Sequence, residues 1–166
     1  MSNNDPWPTV SLYAYDDEVR SALGTALEQH GYVTLISLCD ILLAPSYLAR
    51  LVIRLMPHLS QFLGECPINW DGGWELRKHL DCPQVNLFTF FTRSYESVVV
   101  KAGDIMEFWS RGRIRRVPDL PVPDARETYY VRPGPDTMLR IIPRMTVGQY
   151  LQQALTSVQS SQKESS

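Results

Sequence analysis

Residues 47–80 read YLARLVIRLMPHLSQFLGECPINWDGGWELRKHL, and this stretch decides the fold class. Leu48, Leu51, Val52, Leu55, Leu59, Phe62 and Leu63 recur at three- and four-residue steps, which puts them on one apolar stripe of a helix. Arg50, Arg54 and His58 recur at four-residue steps on another face, as expected for the solvent side of an amphipathic helix or for a cationic binding stripe. Pro45 and Ser46 open the helix, where the missing N–H of proline costs little. Pro57 falls inside the period and predicts a kink or a split near Leu55. Gly64 supplies a stop. Beyond it the helical period ends, and Trp70 and Trp74 flank an Asp71-Gly72-Gly73 turn, where packing of the two indoles is expected.

Working outward, the preceding half reads as strand, helix, then a mixed segment. Thr9 to Tyr15 alternates apolar and polar residues, as a first strand does. Asp16, Asp17 and Glu18 suit the positive end of a helix running to about His30, with Val19, Leu23, Ala26 and Leu27 buried and Gly31 ending it. Tyr32 to Leu43 is nearly continuous in apolar residues and fits a strand or a short helix. The following half is strand-like. Val85–Thr92 and Tyr95–Lys101 are β-branched and aromatic and read as a hairpin. Ile105–Trp109 reads as a third strand. The three prolines of residues 118–124 predict an extended loop. Thr128–Arg132 and Thr137–Ile142 read as two more strands about Pro133-Gly134-Pro135-Asp136. Thr146 and Gln149 have the spacing of a capping box, which starts a last helix on Val147, Tyr150, Leu151, Ala154, Leu155 and Val158.

Helices early and strands late give an α+β class: one domain with an antiparallel or mixed sheet and helices packed on one side. The boundaries are a flexible arm over 1–8, a globular domain over 9–156 and a disordered Ser/Gln-rich tail over 157–166. A length of 166 residues with 44% hydrophobic and 20% charged residues suits one domain with a real core.

The formal net charge is −2, but it is unevenly placed. Residues 1–83 hold 5 Lys+Arg against 10 Asp+Glu, and residues 84–166 hold 11 against 8. The basic excess includes Arg111, Arg113, Arg115 and Arg116. On a strand, the first three share a face with Arg116 opposite. Such a face matches phosphates or acidic headgroups, and equally serves as a charged edge that blocks aggregation. Arg111, Arg113, Arg115 and Arg116, with Arg50 and Arg54, are the candidate basic binding residues.

Three cysteines with no paired spacing fit a reducing compartment better than a secreted disulfide framework. The N-terminus has no basic region followed by an apolar run, and no run of about 18 apolar residues is present, so an intracellular chain without a membrane span is expected. Cys66, His79 and Cys82 lack the paired spacing of a zinc site and read as structural. No nucleophile, acid–base or phosphate-loop motif stands out, so neither enzyme activity, cofactor nor small-molecule substrate is expected.

The central stretch resembles the middle of rhabdovirus matrix proteins, in particular the compact ones of plant-infecting members. The residues that carry the likeness are Leu51 to Leu63, Gly64, Pro67, Asn69, Trp70, Trp74, Leu76, Arg77, Lys78 and Leu80. The resemblance implies a non-enzymatic virion protein that self-associates, condenses a nucleocapsid or RNA and bridges it to an acidic membrane surface. It also implies assembly through an N-terminal segment, and Trp7 between Pro6 and Pro8 is an extended aromatic peptide of that kind. The alternative reading is an accessory module that binds nucleic acid or a protein partner through its basic face.

Overall fold

The computed structural model describes residues 8–13, 15–36, 45–63, 74–93, 97–117, 121–139 and 144–164. Pro6, Trp7, Cys39, Cys66 and Trp70 lie outside them. The described elements are β1 (Thr9–Ser11), α1 (Asp16–His30), β2 (Tyr32–Ile36), α2 (Pro45–Leu63), β3 (Trp74–Arg77), β4 (Phe88–Arg93), β5 (Val98–Ala102), α3 (Asp104–Trp109), β6 (Ala125–Pro133) and α4 (Val147–Glu164). The strands form one six-stranded sheet in the order β1-β2-β5-β4-β6-β3, parallel between β1 and β2 and antiparallel elsewhere. The class is α+β with a mixed sheet.

Strand alternation gives the sheet two chemically different faces. Val33, Leu35, Phe88, Phe90, Val98, Val100, Tyr129 and Val131 share the first face and join one core with Val19, Leu23 and Leu27 of α1 and Leu48, Leu51, Val52, Leu55 and Leu59 of α2. Thr89, Phe91, Lys101, Thr128 and Tyr130 share the second face. Trp74 packs against the core from β3. Leu48, Leu51, Val52, Leu55 and Leu59 of the stripe read from the sequence are therefore on the buried side of α2, which runs unbroken through Pro57.

Caps follow local chemistry. Three acids occupy the first turn of α1, and Gly31 closes it at φ +78° with its N–H on Leu27 O at 2.9 Å. Gly31 is required twice: its left-handed backbone favours glycine, and a Cβ there would stand 2.5 Å from Arg115 O. That close approach lays residues 115–117 against the start of β2. At α4, Thr146 Oγ1 accepts from Gln149 N at 3.1 Å and Gln149 Oε1 accepts from Thr146 N at 2.8 Å, the reciprocal capping box.

Four expectations are corrected. Residues 105–109 form helix α3, not a strand; Glu107 N bonds Gly103 O and Ser110 N bonds Met106 O, which buries Ile105, Met106 and Trp109 together. Residues 137–139 do not pair with β6. Their backbone turns to the α4 entry, with Leu139 N on Met145 O and Val147 N on Thr137 O. α4 continues past Ser157 to Glu164, because a helix already nucleated by its cap and by Tyr150, Leu151, Ala154 and Leu155 on the core propagates through Gln, Lys and Glu at little cost. The fourth concerns the arginine run and is described with the site.

Candidate functional site

A cleft of about 740 Å³ opens on the second face of the sheet. Its floor is set by register: Lys101 of β5 faces Thr89 of β4, which faces Tyr130 of β6, so the three form a row across the strands. Phe91 and Thr128 form the next row. The Lys101 ammonium lies 5.5 Å from the centroid of the Phe91 ring, a cation–π distance. Asn86, Gly103 and Asp104 make one wall, and Arg116, Val117 and Pro121 make another.

The first wall is fixed by a dense set of backbone bonds. Gly103 N bonds Leu87 O at 3.0 Å, Asp104 N bonds Gln84 O at 3.1 Å and Ile105 N bonds Asn86 O at 3.0 Å. Behind it the buried Arg132 guanidinium donates to Val85 O at 2.7 Å and Cys82 O at 2.9 Å, which clamps the 82–85 turn onto β6. Burial holds the Arg132 pKa below its ordinary value. Asn86 is buried, and its Nδ2 donates to Thr89 Oγ1 at 3.1 Å and to Pro83 O. Gly103 admits this packing, since a Cβ there would stand 1.9 Å from Asn86 Oδ1.

Asp104 is the charged hub between the walls. It is 3% exposed. Its carboxylate accepts from Arg116 Nη1 at 2.8 Å and from the Tyr150 hydroxyl at 3.1 Å. The bond to Asp104 raises the Arg116 pKa, and burial, reinforced by the Asp104 charge, pushes Tyr150 up to about 12. The Tyr150 ring also meets Phe108 edge-on at 5.1 Å. One buried carboxylate thus ties α3, α4 and the 110–117 segment together and holds Arg116 at the cleft mouth.

The expected basic face is not formed as an alternating strand. Ser110 caps a tight turn, with Ile114 N on its Oγ at 3.0 Å, and Arg111 and Gly112 take left-handed φ of +56° and +81°. From this turn the arginines diverge. Arg113 pairs with Glu28 of α1, Arg116 turns to Asp104 in the cleft, and Arg111 and Arg115 are exposed. Arg54 is not brought to them, and Arg50 is exposed one turn before it on α2. The Arg54 guanidinium donates to Leu12 O, beside the far end of β2, whereas Arg115 lies against Gly31 at its near end, roughly 16 Å away along the strand. His58 is not on a solvent stripe either; it is 7% exposed, and burial lowers its pKa.

The remaining candidates stay apart from the cleft. His79 is exposed, whereas Cys82 is buried, and burial raises its thiol pKa. Among the described residues no group of three or more His, Cys, Asp or Glu side chains could hold a metal ion, and no helix is long and apolar enough to cross a membrane. Pro8 accepts the Thr34 N–H at 2.7 Å, which fixes the start of edge strand β1.

Sequence reading missed Lys101, Asn86, Thr89, Phe91, Asp104, Tyr130 and Tyr150. One signal was present: Lys101 is a lone charge ending the apolar run Val98-Val99-Val100, opposite alternate polar positions of β4 and β6.

No family model and no curated protein matches the chain. Among solved structures, the chain is similar in fold to that of a protein described as a "putative oxygenase" from Shewanella oneidensis, with a TM-score of 0.58, 92% of this chain and 98% of that chain covered, and 11% sequence identity. At that identity the likeness concerns the fold alone.

Proposed function

We propose that this chain is a binding domain whose open sheet face takes a small organic anion, without catalysing its conversion. The observation that supports it most directly is the row Lys101–Thr89–Tyr130 beside Phe91, set in a cleft of about 740 Å³ with Arg116 at its mouth. A cleft of this size suits a ligand of drug-like dimensions, and a few convergent polar groups on a partly apolar lining fix its orientation. Lys101 supplies positive charge, Arg116, already paired with Asp104, offers its remaining guanidinium N–H donors at the mouth, Thr89 and Tyr130 supply hydroxyls, and the Phe91 ring gives a flat contact. Asp104 is committed to Arg116 and Tyr150, which favours a structural part for it over acid–base chemistry. This reading departs from the expectation of no small-molecule ligand, and it narrows the basic face to Arg116.

A panel of benzoate, phenyl phosphate and benzamide tests it by thermal shift and calorimetry. The two anions are expected to bind and the neutral amide to bind at least ten-fold more weakly. Lys101→Ala is expected to weaken both anions while leaving the fold intact. Which anion binds more tightly distinguishes a carboxylate ligand from a phosphate ester. Absence of binding by both, or equal binding of benzamide, refutes the reading.

A second reading, self-assembly of the matrix type, draws on the edge of the sheet. The described chain begins at Pro8 on edge strand β1, and Tyr13 and Tyr15 just beyond β1 are 71% and 82% exposed. An arm bearing Pro6 and Trp7 that docks on this edge of a second copy would bury those rings and build a head-to-tail array. Such an array is the form in which contacts to a nucleocapsid, RNA or an acidic membrane would follow. Sedimentation velocity across concentration decides it: association lost on Trp7→Ala supports this role, and a parent that stays monomeric at high concentration removes it.

A further inference from the structure

We infer that the cleft selects anions with a single negative charge, as carboxylates have, and disfavours phosphate monoesters, because Asp104 cancels the charge of Arg116 at its mouth. The inference rests on the cleft being a site for a small organic anion. Among the described residues of its lining, the charged ones are Lys101, Arg116 and Asp104. Two cations against one carboxylate leave a surplus of one positive charge. The pairing fixes where that surplus lies. Arg116 Nη1 donates to Asp104 Oδ1 at 2.8 Å, and the Asp104 side chain is 4% exposed, so the carboxylate does not exchange its partner for water. The Tyr150 hydroxyl holds the other carboxylate oxygen from α4 at 3.1 Å. Glu107 adds negative charge on the same side, since its Oε2 accepts the Arg116 backbone N–H at 3.2 Å. Arg116 therefore offers N–H donors without a net charge, and the surplus sits on the floor at Lys101.

The neighbouring cations are committed elsewhere. Arg77 stands opposite Tyr130 at the end of the Lys101–Thr89–Tyr130 row, but it pairs with Glu75 at 2.5 Å. Arg132, behind the wall, is bonded to Val85 O and Cys82 O. Lys78 pairs with Glu127 at 3.4 Å. The first negative charge of a ligand is met by Lys101. A second would leave water without a cation of its own and would face Asp104 across the cleft, and a desolvated charge without a partner is costly. A phosphate monoester carries about 1.5 to 2 charges near neutral pH. A sulfate ester of the same shape carries a single charge, and so does a carboxylate.

Phenyl sulfate and phenyl phosphate match in shape and differ in charge, so together they isolate the charge count. Both, with benzoate alongside, are titrated into the full chain by calorimetry at one salt concentration and about pH 7.5, where the phosphate ester is close to doubly charged. Benzoate is expected to bind, and phenyl sulfate to bind about five-fold or more tightly than phenyl phosphate. Asp104→Asn keeps an oxygen for Arg116 and removes the charge, and it is expected to bring the two esters to within about two-fold of each other. Should Asp104→Asn fail to fold, Thr128→Lys takes its place: Thr128 is half-buried on the cleft floor opposite Phe91, and a lysine there supplies the missing second cation and is expected to abolish the preference. Equal or tighter binding of phenyl phosphate by the parent chain overturns the inference and leaves the anion cleft standing. Absence of binding by all three ligands overturns both. A preference for the sulfate that survives in the folded variant shows that shape discriminates rather than charge, and overturns the inference.

Discussion

Asp104→Ala reaches further into the cleft than any other single change. The Asp104 side chain is 4% exposed and holds one bond from Arg116 and one from Tyr150. A hydrogen bond to a charged group contributes about 1.5–3 kcal/mol net. Arg116 is 49% exposed, so water replaces most of what it loses, and its share falls to about 0.5–1 kcal/mol. The Tyr150 hydroxyl is partly buried and loses about 1.5 kcal/mol. Removing an acid from the first turn of α3 adds a few tenths of a kcal/mol. The expected cost is therefore about 2–3 kcal/mol, or roughly 4–12 °C in thermal midpoint for a chain of this size. Urea unfolding followed by circular dichroism measures it. Tyr150→Phe alone should cost about 1–1.5 kcal/mol, and the double variant should cost no more than Asp104→Ala alone, because the two share one bond. Fully additive losses, or a neutral Asp104→Ala, would refute the hub.

Three further outcomes are expected. Burial lowers the His58 pKa, so its neutral form is the folded one, and the associated stability is present above the ordinary value of 6.5 and lost as pH falls below it; chemical denaturation near pH 5 and pH 7 should show a loss that His58→Gln diminishes, and an unchanged pH slope would refute it. Burial and the bond to Glu127 push Tyr129 up to about 12, so its contribution is full below pH 10 and is lost as pH rises toward 12; stability should fall by up to about 3 kcal/mol between those limits, with a shallower fall in Tyr129→Phe. Arg111 sits at φ +56°, where a side chain is strained, so Arg111→Gly should raise stability by about 0.5–1 kcal/mol in the same denaturation assay; a loss would show that the Arg111 side chain holds the turn.

Local rules carried the elements whose signals are local. The acids at 16–18 and Gly31 bracket α1, the 146–149 box starts α4, and Leu48, Leu51, Val52, Leu55 and Leu59 of the α2 stripe lie in the core. Elements governed by tertiary partners were misread. The alternation of Arg111, Arg113 and Arg115 has the period of a strand, but the Ser110 hydroxyl and two left-handed residues make a turn there, and Gly31 supplies the space against which residues 115–117 lie. Residues 137–139 have strand-like composition, yet Trp109 Nε1 donates to Met138 O and the α4 entry takes the remaining bonds. His58 keeps step with Arg50 and Arg54, but it lies between α2 and the Asp16–Arg20 turn of α1, which its spacing alone does not reveal. The cleft was illegible for the same reason: Thr89, Lys101 and Tyr130 are distant in sequence and become neighbours only through strand order and register.

The most direct test of the sheet-face cleft is amide chemical-shift mapping of the full chain titrated with benzoate and, separately, with phenyl phosphate. Saturable shifts should gather on Asn86, Thr89, Phe91, Lys101, Gly103, Thr128 and Tyr130, with Arg116 and Val117 following and α2 unaffected. Shifts confined to Arg111, Arg113 and Arg115, or no saturable shift at any residue of β4, β5 and β6, would contradict a ligand site on this face.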